Sequence, residues 1–154
     1  MRSDDQLLND AINAYMGGLK GLEHFISEPS QQFHLSFEQF LILRDIISHP
    51  GIKLMHLAAA KGVSRSAVSR QLKTLLAANY VTQEPDPNDR RAQSLVATKA
   101  GVAAATRIKV AMLARFTHWL DLYGRERGSQ LIDSLIDFGH EIVNRPAEGV
   151  GKND

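Results

Sequence analysis

The sequence predicts a mainly α-helical fold, a winged helix-turn-helix with flanking terminal helices. Three observations predict it. Apolar residues recur at alternating steps of three and four near both ends of the chain, the spacing of a stripe on a helix. Two short helical patterns meet through Gly62 in the middle. A strand, a proline-rich turn and a second strand then follow. The 154 residues are one domain's worth of polypeptide, long enough to bury a core but too short for two full catalytic domains.

Leu8, Ile12, Tyr15, Leu19, Leu22 and Ile26 share one stripe and predict a first helix over about 5–28. Pro29 is expected to end it, because proline disfavours helix in the residue ahead of it. Gly17, Gly18 and Gly21 inside this helix are either tolerated weak points or sites of close approach or kinking. Ser36-Phe37-Glu38-Gln39 is a capping box that starts the second helix. Its apolar residues (Phe40, Leu41, Ile42, Leu43, Ile46, Ile47) point several ways, so it belongs deep in the core. Pro50-Gly51 closes the region.

Residues 54–62 form a short helix that Gly62 can end in the left-handed conformation. Ser64 is a good N-cap for the next helix, whose buried face is Val68, Leu72, Leu75 and Leu76. Its other face carries Arg65, Ser66, Ser69, Arg70 and Lys73, with no acidic residue from Ser64 through Tyr80. Tyr80-Val81-Thr82-Gln83-Glu84 reads as a strand, Pro85-Asp86-Pro87-Asn88-Asp89 as a turn, and 92–97 as the return strand. Thr98 can cap a long helix over 99–123, with Met112, Leu113, Phe116, Trp119, Leu120 and Tyr123 on its apolar side. Gly124 and Gly128 bracket a break, and a last helix over about 129–144 carries Leu131, Leu135, Phe138 and Ile142. The tail over 147–154 has little to bury and is expected to fray.

Charge is distributed unevenly. Between positions 53 and 99 there are 8 basic and 3 acidic residues, while the remainder holds 10 basic and 14 acidic, so a basic middle lies between acidic flanks. That pattern suits a polyanion. A recognition helix fits the major groove, where Arg65, Arg70 and Lys73 can reach phosphates or guanine edges and the three serines allow close approach. The hairpin, bearing Asp89-Arg90-Arg91, can carry a cation into the narrower minor groove.

Leu54-x-x-Leu57-Ala58 and Gly62-Val63-Ser64-Arg65-Ser66-Ala67-Val68-Ser69-Arg70-Gln71-Leu72 resemble the helix-turn-helix of the multiple antibiotic resistance regulator (MarR) family. Asp86-Pro87-Asn88-Asp89-Arg90-Arg91, followed by Ala97-Thr98-Lys99-Ala100-Gly101, is similar to that family's wing and the start of its next helix. The resemblance implies double-stranded DNA as partner, with Ser64, Arg65, Ser66, Ser69, Arg70 and Lys73 at the major groove and its phosphates. It implies Arg91 in the minor groove beside Arg90, and Asp89 holding a neighbouring arginine through a charge-assisted hydrogen bond. Asn79 stands where the family often has glycine, and Gln83 where a basic residue is common.

The resemblance also implies a homodimer whose recognition helices lie roughly 34–36 Å apart on a pseudo-palindromic operator. It divides the chain into an N-terminal dimerisation helix (1–35), the winged helix-turn-helix (36–98) and C-terminal dimerisation helices (99–146). Leu8, Ile12, Leu131, Leu135, Phe138 and Ile142 are the candidate interface, or else complete the monomer core.

Members of the family respond to small aromatic or phenolic acids, metals or oxidants. Zero cysteines exclude thiol-based sensing. The six histidines are scattered, with no His-x-x-x-His pair, so no metal site is predicted, though His24 with Glu28 or His118 with Asp121 could come together. No cofactor is expected. A small aromatic or apolar anion is the expected effector, in a pocket drawn from Tyr15, Met16, Leu19, Lys20, His24, Phe40, Arg44 and Met112.

No glycine-rich phosphate loop, Gly-x-Ser-x-Gly elbow or His-Glu-x-x-His motif points to an enzyme. No apolar run is long enough to span a bilayer and no signal-peptide core follows Met1, so the expected address is the cytoplasm. The competing reading is a protein-interaction module, such as an anti-repressor, on the same fold.

Overall fold

The computed structural model describes residues 1–143; the expected frayed tail at 147–154 lies outside them. The chain divides into two compact units, Met1–Arg115 and Phe116–Asp154. In chain order the first unit holds α1 (Asp4–Ala14), a π turn (Tyr15–Leu19), α2 (Lys20–Gln31) and α3 (Phe37–Ser48). These are followed by β1 (Ile52–Lys53), α4 (Leu54–Lys61), α5 (Arg65–Ala77), β2 (Val81–Pro85), β3 (Gln93–Ala97) and most of α6 (Lys99–Tyr123). α7 (Arg125–Phe138) and a second π turn (Gly139–Val143) follow in the second unit.

The first helical run departs from its predicted limits at both ends. Ser3 starts α1 with a capping box to Gln6. Pro29 does not stop α2, which runs on to Gln31 with Pro29 and Ser30 buried. The Ser27 hydroxyl donates to the His24 carbonyl (3.1 Å) and the Ser30 hydroxyl to the Ser27 carbonyl (2.7 Å). A Cβ at Gly17, Gly18 or Gly21 would meet nothing within 4 Å, so these glycines mark no close approach within the chain; Gly17 and Gly18 lie in the π turn.

α3 forms as the capping box dictates: Ser36 Oγ accepts from the Gln39 N–H (3.1 Å) and the Gln39 side chain accepts from the Ser36 N–H (2.9 Å). Its Phe40, Ile42, Leu43 and Ile46 are buried, as its all-round apolar pattern requires. They meet Leu57 of α4, Val68, Leu72 and Leu75 of α5, Val81 and Leu95 of the sheet, and Ala105 and Ile108 of α6 in one core. The sheet is antiparallel in the order β1-β3-β2. β3 pairs Leu95 with Gln83 on one side and with Ile52 on the other. β1 escapes sequence reading because two residues carry no period.

Thr98 links the hairpin to α6. Its hydroxyl donates to the Asn79 carbonyl (2.6 Å) and accepts from the Gly101 N–H (3.0 Å). Asn79 adopts φ 56, the left-handed conformation that asparagine tolerates. Gly101 is required by contact: a Cβ there would overlap the Tyr80 carbonyl. In this unit α6 buries its small-residue face, Gly101, Ala104, Ala105 and Ile108, while Leu113 of the predicted stripe is exposed. Arg115 pairs with Glu28 and covers the Phe25 ring, fastening α6 to α2.

In the second unit the rings of Phe116, Trp119 and Tyr123 stack along the end of α6. The break falls at Gly124 alone, with φ 98. Gly128 does not end or start a helix: it is buried within α7, where a Cβ would overlap the Leu120 side chain. α7 therefore starts four residues earlier than expected and gives way at Gly139 to a π turn. Among the described residues no helix is long and apolar enough to cross a membrane.

Candidate nucleic-acid interface

The turn between α4 and α5 is set by two caps. Gly62 takes φ 64, and the N–H groups of Gly62 and Val63 donate to the Ala59 and Ala58 carbonyls (both 3.1 Å). Ser64 Oγ accepts from the Ala67 N–H (3.2 Å) and lies 3.4 Å from Ser66 Oγ. Val68, Leu72 and Leu75 face the core, which turns Arg65, Ser66, Arg70 and Lys73 to solvent; Ser69 is half-buried beside them. α3 holds α5 from behind: Gln39 Nε2 donates to Gln71 Oε1 (3.1 Å) and Thr74 Oγ1 (3.2 Å). The unpaired N–H groups at the start of α5 add positive potential beside Arg65.

The wing tip is organised by Asp86, a residue the sequence reading left in the turn without a role. Its Oδ1 accepts from the N–H groups of Asn88 (2.7 Å) and Asp89 (3.2 Å), and its Oδ2 lies 3.0 Å from Lys53 Nζ. The Asn88 N–H, then the Lys53 ammonium, hold the Asp86 carboxyl below its ordinary pKa. The signal was present in Asp86-Pro87-Asn88, an Asx-turn pattern. Its partner Lys53, on the two-residue β1, was not foreseeable. Asp89 differs from its expected role: its Oδ1 accepts the backbone N–H of Arg91 (3.0 Å), and no arginine side chain pairs with it among the described residues. The two neighbouring guanidinium groups are thus left to solvent.

Of the eight basic residues between 53 and 99, Lys53 is paired with Asp86 and Lys61 with Asp45 (both 3.0 Å). Arg65, Arg70, Lys73, Arg90, Arg91 and Lys99 make no ion pair among the described residues, and all six are exposed. Cations left without carboxylates on one helix and one hairpin can bind phosphates without first breaking an internal contact.

The predicted effector residues separate. Phe40, Arg44 and Met112 line a cavity of about 470 Å³ between α3 and α6, with Ile47, Thr106 and Lys109. Tyr15, Met16, Leu19, Lys20 and His24 do not reach it and are exposed on the first helical run. Helical periodicity assigns residues to a face, not to a neighbour, which is why the two groups were merged. Lys109 was missed, although it sits one turn before Met112. A larger open cleft of about 840 Å³ is lined by residues of α3, α4 and α5 and includes Arg70. Of the carboxylates considered for metal pairs, Glu28 is taken by Arg115 and Asp121 by Arg125. Among the described residues no three His, Asp or Glu side chains come together as a metal set.

A family model described as the MarR family matches residues 35–92, the helix-turn-helix and the wing. Over this segment the chain is similar to the MarR family. MarR-family proteins are transcriptional regulators rather than enzymes. An HTH-type transcriptional regulator of Staphylococcus aureus strain Mu50 is 28% identical over 97 residues, 62% of this chain. That match spans 63% of the relative's length, just under two thirds. Among solved structures, the transcriptional repressor CouR bound to a 23-mer DNA duplex shares the fold (TM-score 0.75, 20% identity, covering 90% of this chain and 99% of that one). So does Staphylococcus aureus MarR in complex with salicylate and kanamycin (TM-score 0.70, 15% identity, covering 88% and 94%). At these identities the likeness is one of fold.

Proposed function

We propose that this protein is a MarR-type, ligand-responsive transcriptional repressor of the cytoplasm. It binds a pseudo-palindromic operator as a homodimer and is released by a small aromatic or apolar anion. One observation carries the DNA half of this reading: the exposed, unpaired Arg65, Arg70, Lys73, Arg90 and Arg91 share the recognition helix and the wing. Ser64, Ser66 and Ser69 let α5 approach base edges, and Asp89 holds the backbone of Arg91. The fold likeness to CouR, itself bound to a duplex, supports it.

The dimer is supported by apolar side chains that the described chain leaves bare. Leu8, Ile12, Phe138 and Ile142 are more than half exposed, and Leu131 and Leu135 about a third. Burying such residues against a second copy is worth about 1.5–3 kcal/mol for each side chain fully covered. Residues 1–35 and 99–146 form the dimerisation parts in this reading, and 36–98 the DNA-binding part. The effector cavity between α3 and α6 has apolar walls in Phe40, Ile47 and Met112, and two cations, Arg44 and Lys109, to fix a carboxylate. An effector shifts DNA affinity only by as much as it prefers one spacing of the recognition helices over the other.

Fluorescence anisotropy with duplex DNA tests the reading. Affinity should fall by orders of magnitude as salt rises from about 50 to 200 mM. Binding that is absent or indifferent to salt overturns it and leaves the anti-repressor on the same fold. Salicylate serves as the effector probe: it should raise the melting temperature of the native protein and not that of Lys109→Met.

A further inference from the structure

We propose that Asp86, clamped to Lys53, is the positioning residue of the wing: it fixes where Arg90 and Arg91 stand against DNA without touching the duplex. This rests on the DNA-binding reading above and goes beyond it to a device that reading does not contain. The ladder between β2 and β3 ends at the pair of Pro85 and Gln93. Beyond that pair the tip has no strand to hold it. Asp86 is the first residue past the ladder, and its side chain is only 10% exposed.

From there it makes three of the hydrogen bonds that close the tip. Its N–H donates to the Ala92 carbonyl (3.1 Å), and its Oδ1 takes the N–H groups of Asn88 and Asp89. Asp89 in turn accepts the Arg91 N–H (3.0 Å) and, through its carbonyl, the Ala92 N–H (3.0 Å). A continuous path of hydrogen bonds therefore runs from Asp86 to the backbone of the wing arginine.

The other oxygen of Asp86 ties this path to the rest of the reader. Lys53 is paired with Ser94 in β3 and also stands at the N-cap position of α4, the first helix of the helix-turn-helix, directly continuous with it. The ion pair (3.0 Å) thus sets the wing tip and the helix-turn-helix in one frame. A duplex read in two grooves at once requires such a frame, because a shift of either reader forfeits contacts of the other.

Charge counting and the clamp predict opposite signs. A carboxylate beside a polyanion repels it, so removing the charge should tighten binding if Asp86 were a bystander. If Asp86 positions the wing, removing its charge should weaken binding. The test uses the full chain and a duplex that the native protein enriches from a random-sequence pool. Asp86→Asn keeps the turn acceptor and loses the ion pair; Lys53→Met loses the same pair from the other side.

Each should weaken binding on the order of tenfold, and the double variant no further, as expected for two residues acting through one contact. Lys53→Arg should restore most of the affinity. In an Arg91→Ala background, Asp86→Asn should have little further effect, which a general loss of stability would not produce. Asp86→Asn binding as tightly as the native protein, or more tightly, overturns the clamp and leaves the DNA reading standing. Failure of the native protein to enrich any duplex overturns both.

Discussion

The winged module and the terminal helices treat their apolar residues in opposite ways. In the module, together with the start of α6 that completes its core, Leu43, Ile46, Leu57, Leu72, Leu75, Leu95 and Ile108 are buried to within a few per cent by residues of the same chain. On α1, the first π turn and α7, Leu8, Ile12, Tyr15, Met16, Ile136 and Phe138 are half exposed or more. The polar residues divide the other way. On the recognition helix and the wing, Arg65, Arg70, Lys73, Arg90 and Arg91 make no ion pair among the described residues, whereas Arg2, just before α1, pairs with Asp10, and Arg125 on α7 pairs with Asp121. One region completes its core internally and leaves a set of cations exposed. The other leaves apolar surface exposed, the kind of patch that in soluble proteins marks an interaction surface.

The largest effect should come from breaking the self-contained core. Ile108→Ala should lower stability by about 2–5 kcal/mol in chemical denaturation, by the same amount at every protein concentration. The terminal helices should answer differently. Ile12→Glu together with Leu135→Glu should shift sedimentation from dimer to monomer and abolish the dependence of the melting temperature on protein concentration. Operator affinity should drop at least tenfold with it, because bivalent engagement is lost.

Within the module, Arg91→Ala should weaken operator binding by about 1–3 kcal/mol and reduce the salt slope by about 1 without changing the melting temperature. The smallest effect belongs to pH. The folded-state pKa of Asp86 is depressed, so its contribution is fully present above the unfolded value and is lost as pH falls through the folded one. Protection of the Asn88 and Asp89 amides from hydrogen exchange should decline below about pH 4, and that decline should vanish in Asp86→Asn.

The parts of this comparison that were legible in the sequence are the ones settled within a few residues. Ser36, Gly62, Ser64, Asn79 and Thr98 each act on a backbone group close in sequence or at the next joint, so their chemistry could be read from type and position. The exposed face of α5 followed from its period alone. Features that depend on distant chain were hidden. Lys53 meets Asp86 across the sheet, Gly128 is shaped by Leu120, and α2 runs two residues past Pro29. The effector residues were divided for the same reason, since a shared stripe does not say which other helix lies opposite.

The π turn at Tyr15–Leu19 has a consequence for the whole N-terminal stripe. A widened turn winds more slowly than the helix on either side of it, so it shifts the phase of everything downstream. Leu8 and Ile12 stay bare while Leu22 and Ile26 turn toward their own chain. What a ruler of threes and fours reads as one surface is two, aimed at different neighbours. Restoring regular winding there, with Gly17 and Gly18 replaced by alanine, would rotate one against the other and set dimerisation at odds with folding.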